Sequence, residues 1–177
     1  NAAVALATVG ELRRQGWLIS DEAVRTGLVA ARCPVRVEVV SRRPAVIVDA
    51  AHNAASIEAL VATLEESYAP RRKILVFGTT QEKDVRGMLE TLLRRFDEIL
   101  LTRYHHNPRA IPPQELAELA GQLTGRACRV CSRPDEAWQV ARGLAADDDL
   151  ICITGSFYLA TEMRQLAIRS IEERHEA

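Results

Sequence analysis

Pro44-Ala45-Val46-Ile47-Val48-Asp49-Ala50-Ala51-His52-Asn53 is the stretch whose reading decides the fold. Its apolar residues run without a break and end in an acid. A strand with one wet face would alternate apolar and polar residues. An unbroken run is buried on both faces, as in a parallel sheet. Downstream, Ala54 to Ser67 carries Ile57, Leu60, Val61 and Leu64 on one helical face. The same unit then recurs. Ile74-Leu75-Val76-Phe77-Gly78 reads as a strand and Val85 to Phe96 as a helix. Glu98 to Thr102 reads as a strand and Pro113 to Leu123 as a helix, with proline in its first turn. Ala127 to Cys131 is a short strand, Pro134 to Leu144 a helix, Leu150 to Gly155 a strand, and Phe157 to Glu173 the closing helix. Five alternations predict an α/β fold: a Rossmann-like, mostly parallel sheet with helices on both faces and right-handed crossovers.

Upstream, Val35, Val37 and Val39 alternate with Arg36, Glu38 and Val40, as in a half-buried strand, and Arg42-Arg43-Pro44 makes a turn. Residues 1–30 are alanine-rich and helical in period, with Gly16 a break and Ser20 a candidate cap before Asp21-Glu22. They fall outside the α/β pattern. The expected division is 1–33, the helical end of a preceding domain, and 34–177, the Rossmann-like domain. The chain opens inside a helical pattern without an initiator Met, so a natural start further upstream is expected.

Composition narrows the function. Of 177 residues, 23 are Lys or Arg and 24 are Asp or Glu, for a net charge of −1, which argues against a nucleic-acid partner. No apolar run approaches the ~18 residues of a membrane span. Four cysteines in a chain of this length do not make a disulfide scaffold, and a reducing cytoplasm is expected. Cys128 and Cys131 sit on a strand, where residues three apart face opposite ways, so they are read as structural. Cys152 is read as core, Cys33 as exposed, and Trp17 and Trp138 as packing residues. His105-His106 is read as loop polarity rather than a metal site. The Glu22/Arg25 and Glu90/Arg94 pairs are read as solvated helix faces.

In such sheets ligands bind at the carboxyl ends of the strands. Asp49-x-x-His52-Asn53, Gly78 to Asp84, Thr102 to Arg109 and Thr154-Gly155-Ser156 share that rim. An acid at a strand end can accept from a ribose diol, and the following helix N-terminus suits an anion. Equally, Asp49 could cap that helix while His52 packs. Neither a GxxxxGK[ST] loop nor a GxGxxG fingerprint is present, which argues against an NAD enzyme and against a triphosphate held in a phosphate loop.

Pro34-Val35-Arg36, thirteen residues from Arg36 to Asp49, then Asp49-Ala50-Ala51-His52-Asn53 resembles a signature of folylpolyglutamate and dihydrofolate synthases, within the Mur ligase superfamily. Glu82-Lys83-Asp84 before Met88-Leu89, Asn107-Pro108-Arg109-Ala110, and Gly155-Ser156-Phe157-Tyr158 resemble its later segments in order. Residues 1–7 resemble the last helix of its central domain. Val35 and Ala50 stand where the family has glycine, Ala54 where it has proline, and Glu82 where it has aspartate.

The resemblance implies the C-terminal domain of an ATP- and Mg2+-dependent ligase that joins L-glutamate to a folate or dihydropteroate carboxylate through an acyl phosphate. Its metal ligands and phosphate loop would lie in an N-terminal domain, so this stretch alone is expected to be inactive. Arg36 would contact ATP phosphate or the hinge-side nucleotide edge, Asp49 the ATP ribose or the domain interface near it, and Asn1 the adenine. His52, Asn53 and Ser156 would line the glutamate cleft, and Lys83 would meet a substrate carboxylate or stand as a solvated loop residue. A cytoplasmic monomer is expected. Another Mur-type ligase acting on peptidoglycan precursors, or a non-catalytic nucleotide-binding module, are the alternatives.

Overall fold

The computed structural model describes residues 2–105 and 107–175, in two compact units, Asn1–Pro34 and Val35–Ala177. In the first, α1 (Ala2–Arg14) ends at Gly16, whose φ of 92° is a glycine conformation. Helix α2 (Asp21–Ala30) starts at Ser20, whose hydroxyl accepts from Ala23 N at 3.1 Å, as the cap pattern predicts. Arg13 ties the helices together through the Asp21 carboxylate and the Ile19 carbonyl, both at 2.8 Å. Two short helices enclose no interior, so no side chain in either is buried. Trp17, expected to pack, is 62% exposed for the same reason.

The second unit is a six-stranded sheet in the order β1-β2-β6-β3-β4-β5. Its strands are β1 (Glu38–Arg42), β2 (Ala45–Val48), β3 (Lys73–Phe77), β4 (Glu98–Leu101), β5 (Arg129–Val130) and β6 (Leu150–Thr154). All neighbours pair in parallel except β1, which runs antiparallel to β2. The period of two divides each buried strand between two cores. Ile47, Leu75, Phe77, Leu101 and Cys152 face one core, with α3 (Ala54–Ser67), α4 (Val85–Leu92) and α5 (Pro113–Thr124). Val46, Val48, Ile74, Val76, Leu100, Ile151 and Ile153 face the other, with α6 (Pro134–Leu144) and α7 (Phe157–His175). The mostly parallel sheet with helices on both faces is therefore present. The cysteine reading also holds: Cys128 packs against the first core and Cys131 lies in the second. Trp138 and Cys152 are buried and Cys33 is exposed.

Three local differences matter. Val35 and Val37 are not strand residues. Their φ values are 53° and 45°, and β1 begins only at Glu38, with an irregularity between Val39 and Ser41 that leaves Val39 41% exposed. Helix α4 stops at Leu92 rather than Phe96, and β5 keeps two residues of the expected five. Glu90 pairs with Arg86, not Arg94, whereas Glu22 and Arg25 pair as read.

Strand β6 inserts between β2 and β3, and the chain leaves it toward the opposite face from α3 and α4. The crevice beyond the carboxyl ends of β2, β6 and β3 is thus the switch point of the sheet, where such folds bind ligands. Two glycines let the backbones there approach. A Cβ on Gly78 would stand 2.4 Å from the Thr102 carbonyl oxygen, and one on Gly155 2.6 Å from the Gly78 carbonyl oxygen.

Candidate functional site

A cavity of about 230 Å³ opens at that crevice. Three of the four segments that supply its polar groups are the loop after β2 with His52, the loop after β3 with Thr80 to Lys83, and the start of α7 with Ser156. Arg109, from the loop after β4, completes the wall, with Phe157 and Tyr158.

Each group is fixed locally. His52 Nδ1 lies 2.9 Å from the Ala50 carbonyl oxygen. A carbonyl only accepts, so Nδ1 carries the hydrogen, and in this tautomer Nε2 is the nitrogen left to accept. Ser156 is 2% exposed, and its Oγ accepts from Leu159 N at 3.0 Å, the manner of a helix cap. Its own hydroxyl hydrogen remains to donate. Gly155 makes this placement possible: its φ is 114° and its N–H donates to the Ala51 carbonyl at 3.1 Å.

The loops after β3 and β4 are joined by a strap. Thr80 and Ala110 form an antiparallel bridge, Gln81 N donates to the Arg109 carbonyl at 2.8 Å, and Ile111 N donates to the Thr79 carbonyl at 3.1 Å. Beneath it, the Thr80 hydroxyl and the Tyr104 hydroxyl are 2.8 Å apart, and the Tyr104 and Tyr158 rings meet tilted by 31°, with centroids 5.2 Å apart. The strap holds exposed Arg109 and exposed Lys83 on one wall. Two cations and a hydroxyl donor suit carboxylates, and the His52 Nε2 and Glu82 acceptors suit an ammonium group. The contents fit an acidic amino acid.

His52, Lys83 and Ser156 thus converge as the sequence pattern expects, and Arg109, which the sequence places on the same rim without a role, joins them. Asn53 does not line the cavity. Its Oδ1 accepts from Ser56 N at 2.9 Å while Ser56 Oγ accepts from Asn53 N at 3.1 Å, a capping box that starts α3. Asn53, not Asp49, is therefore the cap. Asn1 and His106 lie outside the described residues. His105 pairs with Glu162 of α7.

Arg36 and Asp49 belong to a second part of the rim. Glu38 pairs with Val48 across β1 and β2, which sets residues 35–37 beside the carboxyl end of β2. Asp49 is 5% exposed and both its oxygens serve backbone: Oδ1 accepts from Ala51 N at 2.7 Å and Oδ2 from Val37 N at 2.8 Å. Glu38 accepts from Val35 N at 2.8 Å and from the Arg164 guanidinium through both carboxylate oxygens, at 2.7 to 2.9 Å. The Arg164 hydrogen bonds hold the Glu38 carboxyl below the usual carboxylate range, against the opposing effect of burial and with help from Val35 N–H. A β-branched residue in the left-handed region costs of order 1–3 kcal/mol, and it persists only where the surroundings enforce it. These carboxylates enforce it twice. Among the described residues the Arg36 guanidinium, between the two, has no hydrogen-bond or ion-pair partner.

Comparisons with known proteins agree with this layout. Residues 35–157 match the family model described as Mur ligase, glutamate ligase domain. A dihydrofolate synthase/folylpolyglutamate synthase of Mycobacterium tuberculosis is 35% identical over 182 residues, covering 94% of this chain and 37% of that protein. The structure of Escherichia coli FolC in complex with DHPP and ADP superposes with a TM-score of 0.78 at 28% identity, over 98% of this chain and 39% of that one. A bifunctional folylpolyglutamate synthase/dihydrofolate synthase with Mn, AMPPNP and L-glutamate bound gives 0.74 at 32% identity, over 89% and 37%. The chain therefore spans less than two fifths of the length of these relatives. The family model covers more than half of this chain, on the same residues that build the sheet and its rim, and the chain belongs to the Mur ligase family by its glutamate ligase domain.

Proposed function

We propose that this chain serves as the C-terminal, glutamate-side part of an ATP-dependent ligase that joins L-glutamate to a folate or dihydropteroate carboxylate through an acyl phosphate. In this reading residues 1–33 are the helical end of the preceding ATPase domain and 34–177 the closing domain. The observation that carries it is the cavity at the sheet's switch point, where Lys83, Arg109, Ser156 and His52 meet. Lys83 and Arg109 take the two carboxylates of the incoming amino acid. Ser156 donates to one of them, and His52 Nε2 accepts from its amine. Asn53 contributes by starting α3 and holding the loop that carries His52.

Arg36 contacts ATP phosphate. A permanently charged fork with no competing partner among the described residues suits that task. Asp49 serves the nucleotide edge by shaping the loop that carries Arg36, since its own oxygens are engaged. Asn1 retains its assignment near the adenine. Among the described residues no group of three His, Cys, Asp or Glu is arranged for a metal. In this reading Mg2+ is held by the nucleotide and by the preceding ATPase domain. No described helix is long and apolar enough to cross a membrane. A cytoplasmic monomer completes the proposal, with no turnover from residues 1–177 alone.

The test is ADP release by the complete ligase with ATP, Mg2+ and L-glutamate, with dihydropteroate and tetrahydrofolate offered separately. Turnover with either, together with a raised KM for glutamate in Arg109→Ala and Lys83→Ala at unchanged KM for ATP, supports the reading. No turnover with either acceptor, but turnover with a peptidoglycan-type acceptor, overturns it.

A further inference from the structure

The Arg36 loop is held from a distance in sequence that its own chemistry does not require. Val35 and Val37 flank Arg36 in the left-handed region, where β-branched residues do not settle by themselves. Four ties hold them. Val35 N donates to Glu38, the Val35 carbonyl accepts from Ala50 N at 2.8 Å, Val37 N donates to Asp49, and Glu38 is gripped by Arg164 of α7. Arg164 and Glu38 are 126 residues apart, so the grip links the edge of the sheet to the helix that opens with Ser156. Their side chains are 31% and 23% exposed, which shields the pair from competing water. Strand β1 needs none of this, because its ladder to β2 begins only at Glu38. What the ties fix is the direction of Arg36.

We infer that Glu38, locked by the Arg164 fork, is a positioning residue that aims Arg36 at the nucleotide phosphates, and that α7 thereby carries one group for glutamate (Ser156) and one that governs the nucleotide side (Arg164). The inference rests on the reading of Arg36 as a phosphate contact. It requires that Arg164 act through Arg36 alone. Without the fork, Glu38 is free to leave Val35 N–H, the loop relaxes to an ordinary conformation, and Arg36 loses its aim. Geometry lost at a phosphate contact weakens binding of that substrate and not of the other.

A double-mutant cycle in the complete ligase tests this, with Arg36→Ala, Arg164→Met and the two combined. KM for ATP, KM for glutamate and the melting temperature are read for each. The expected result for Arg164→Met is a KM for ATP raised about tenfold, with KM for glutamate moved less than about twofold. In the Arg36→Ala background the same change adds nothing. Arg164→Lys, which keeps the charge but loses the fork, recovers part of the loss.

A multiplicative effect in the double variant, or a wild-type KM for ATP in Arg164→Met beside a raised one in Arg36→Ala, overturns the positioning role and leaves the phosphate contact standing. A wild-type KM for ATP in Arg36→Ala overturns the phosphate contact itself, and the inference with it. If Arg164→Met does not fold, Glu38→Gln replaces it. That variant keeps an acceptor for Val35 N–H and loses the ion pair. Its KM for ATP is expected to rise several-fold, and a wild-type value refutes the inference.

Discussion

Replacing Gly155 with alanine perturbs the point where the sheet hands over to α7. A Cβ there would sit 2.6 Å from the Gly78 carbonyl oxygen and 2.7 and 2.8 Å from two ring carbons of Phe77. Neither can yield. Phe77 is fully buried, and Gly78 is itself pressed against the Thr102 carbonyl, 2.4 Å from its own ideal Cβ position. The φ of 114° adds a second penalty, since side-chain-bearing residues rarely adopt it. Backbone strain of order 1–3 kcal/mol and overpacking of about 1–3 kcal/mol place the loss near 3 kcal/mol or above. For a domain of this size each kcal/mol lowers Tm by about 2–4 °C, so a fall of about 6–12 °C is expected. Circular dichroism melts of the wild-type and G155A chains measure it, and urea titration should show a lower midpoint at an unchanged slope. A melt within about 2 °C of wild type would refute the argument that this backbone crossing is incompressible.

Four other outcomes follow from the same structure. Ile47→Ala empties a fully buried position and should cost about 2–5 kcal/mol. Val39→Ala, at a position 41% exposed, should stay within about 0.5 kcal/mol in the same denaturation assay. Because Glu38 has a lowered pKa in the folded state, its contribution is complete above the unfolded carboxylate range and is lost as pH falls through the folded value. Stability measured from neutral pH into acid should therefore fall less steeply in Glu38→Gln than in wild type. Finally, a thiol reagent on the folded chain should find one fast cysteine, removed by Cys33→Ser, while all four react in denaturant. Burial raises the pKa of Cys128, Cys131 and Cys152, and rapid labelling of Cys152 would contradict the packing described.

The sheet was legible because its signal is local. An unbroken run such as Val46-Ile47-Val48 needs a second core, and the period of two distributes it between them. The rim was legible by rule, since strand ends bring His52 and Ser156 to one crevice whatever the loops do. What the sequence hid depends on contacts between distant segments. The Val35-Arg36-Val37 turn reads as a strand because Val35 and Val37 alternate with Arg36, and ties to Asp49, Glu38, Ala50 and, through Glu38, Arg164 reverse that preference. The capping role falls to Asn53 because α3 begins at Ala54, five residues past Asp49, whose oxygens serve the N–H groups of Ala51 and of Val37, twelve residues upstream. Arg109 could be put on the rim but given no role there, because its place in the cavity is set by the pairing of Thr80 with Ala110, across a helix and a strand. Trp17 has the period of a packed residue, but the two-helix unit has no interior to receive it.

The position of β6 also shapes how the chain reaches its native state. It is the last strand to be synthesised, and it takes the place between β2 and β3. Until Leu150–Thr154 is available, those strands have no common partner and each presents an unpaired hydrophobic edge. A nascent chain that ends before residue 150 therefore cannot settle into a smaller version of this domain. Such intermediates are the ones exposed to edge-to-edge association. Helix α7 and the loop at Gly155 are added only after that closure. The crevice at the switch point is accordingly complete only once α7 is added, and cutting the chain back past residue 150 should abolish folding rather than leave a smaller sheet.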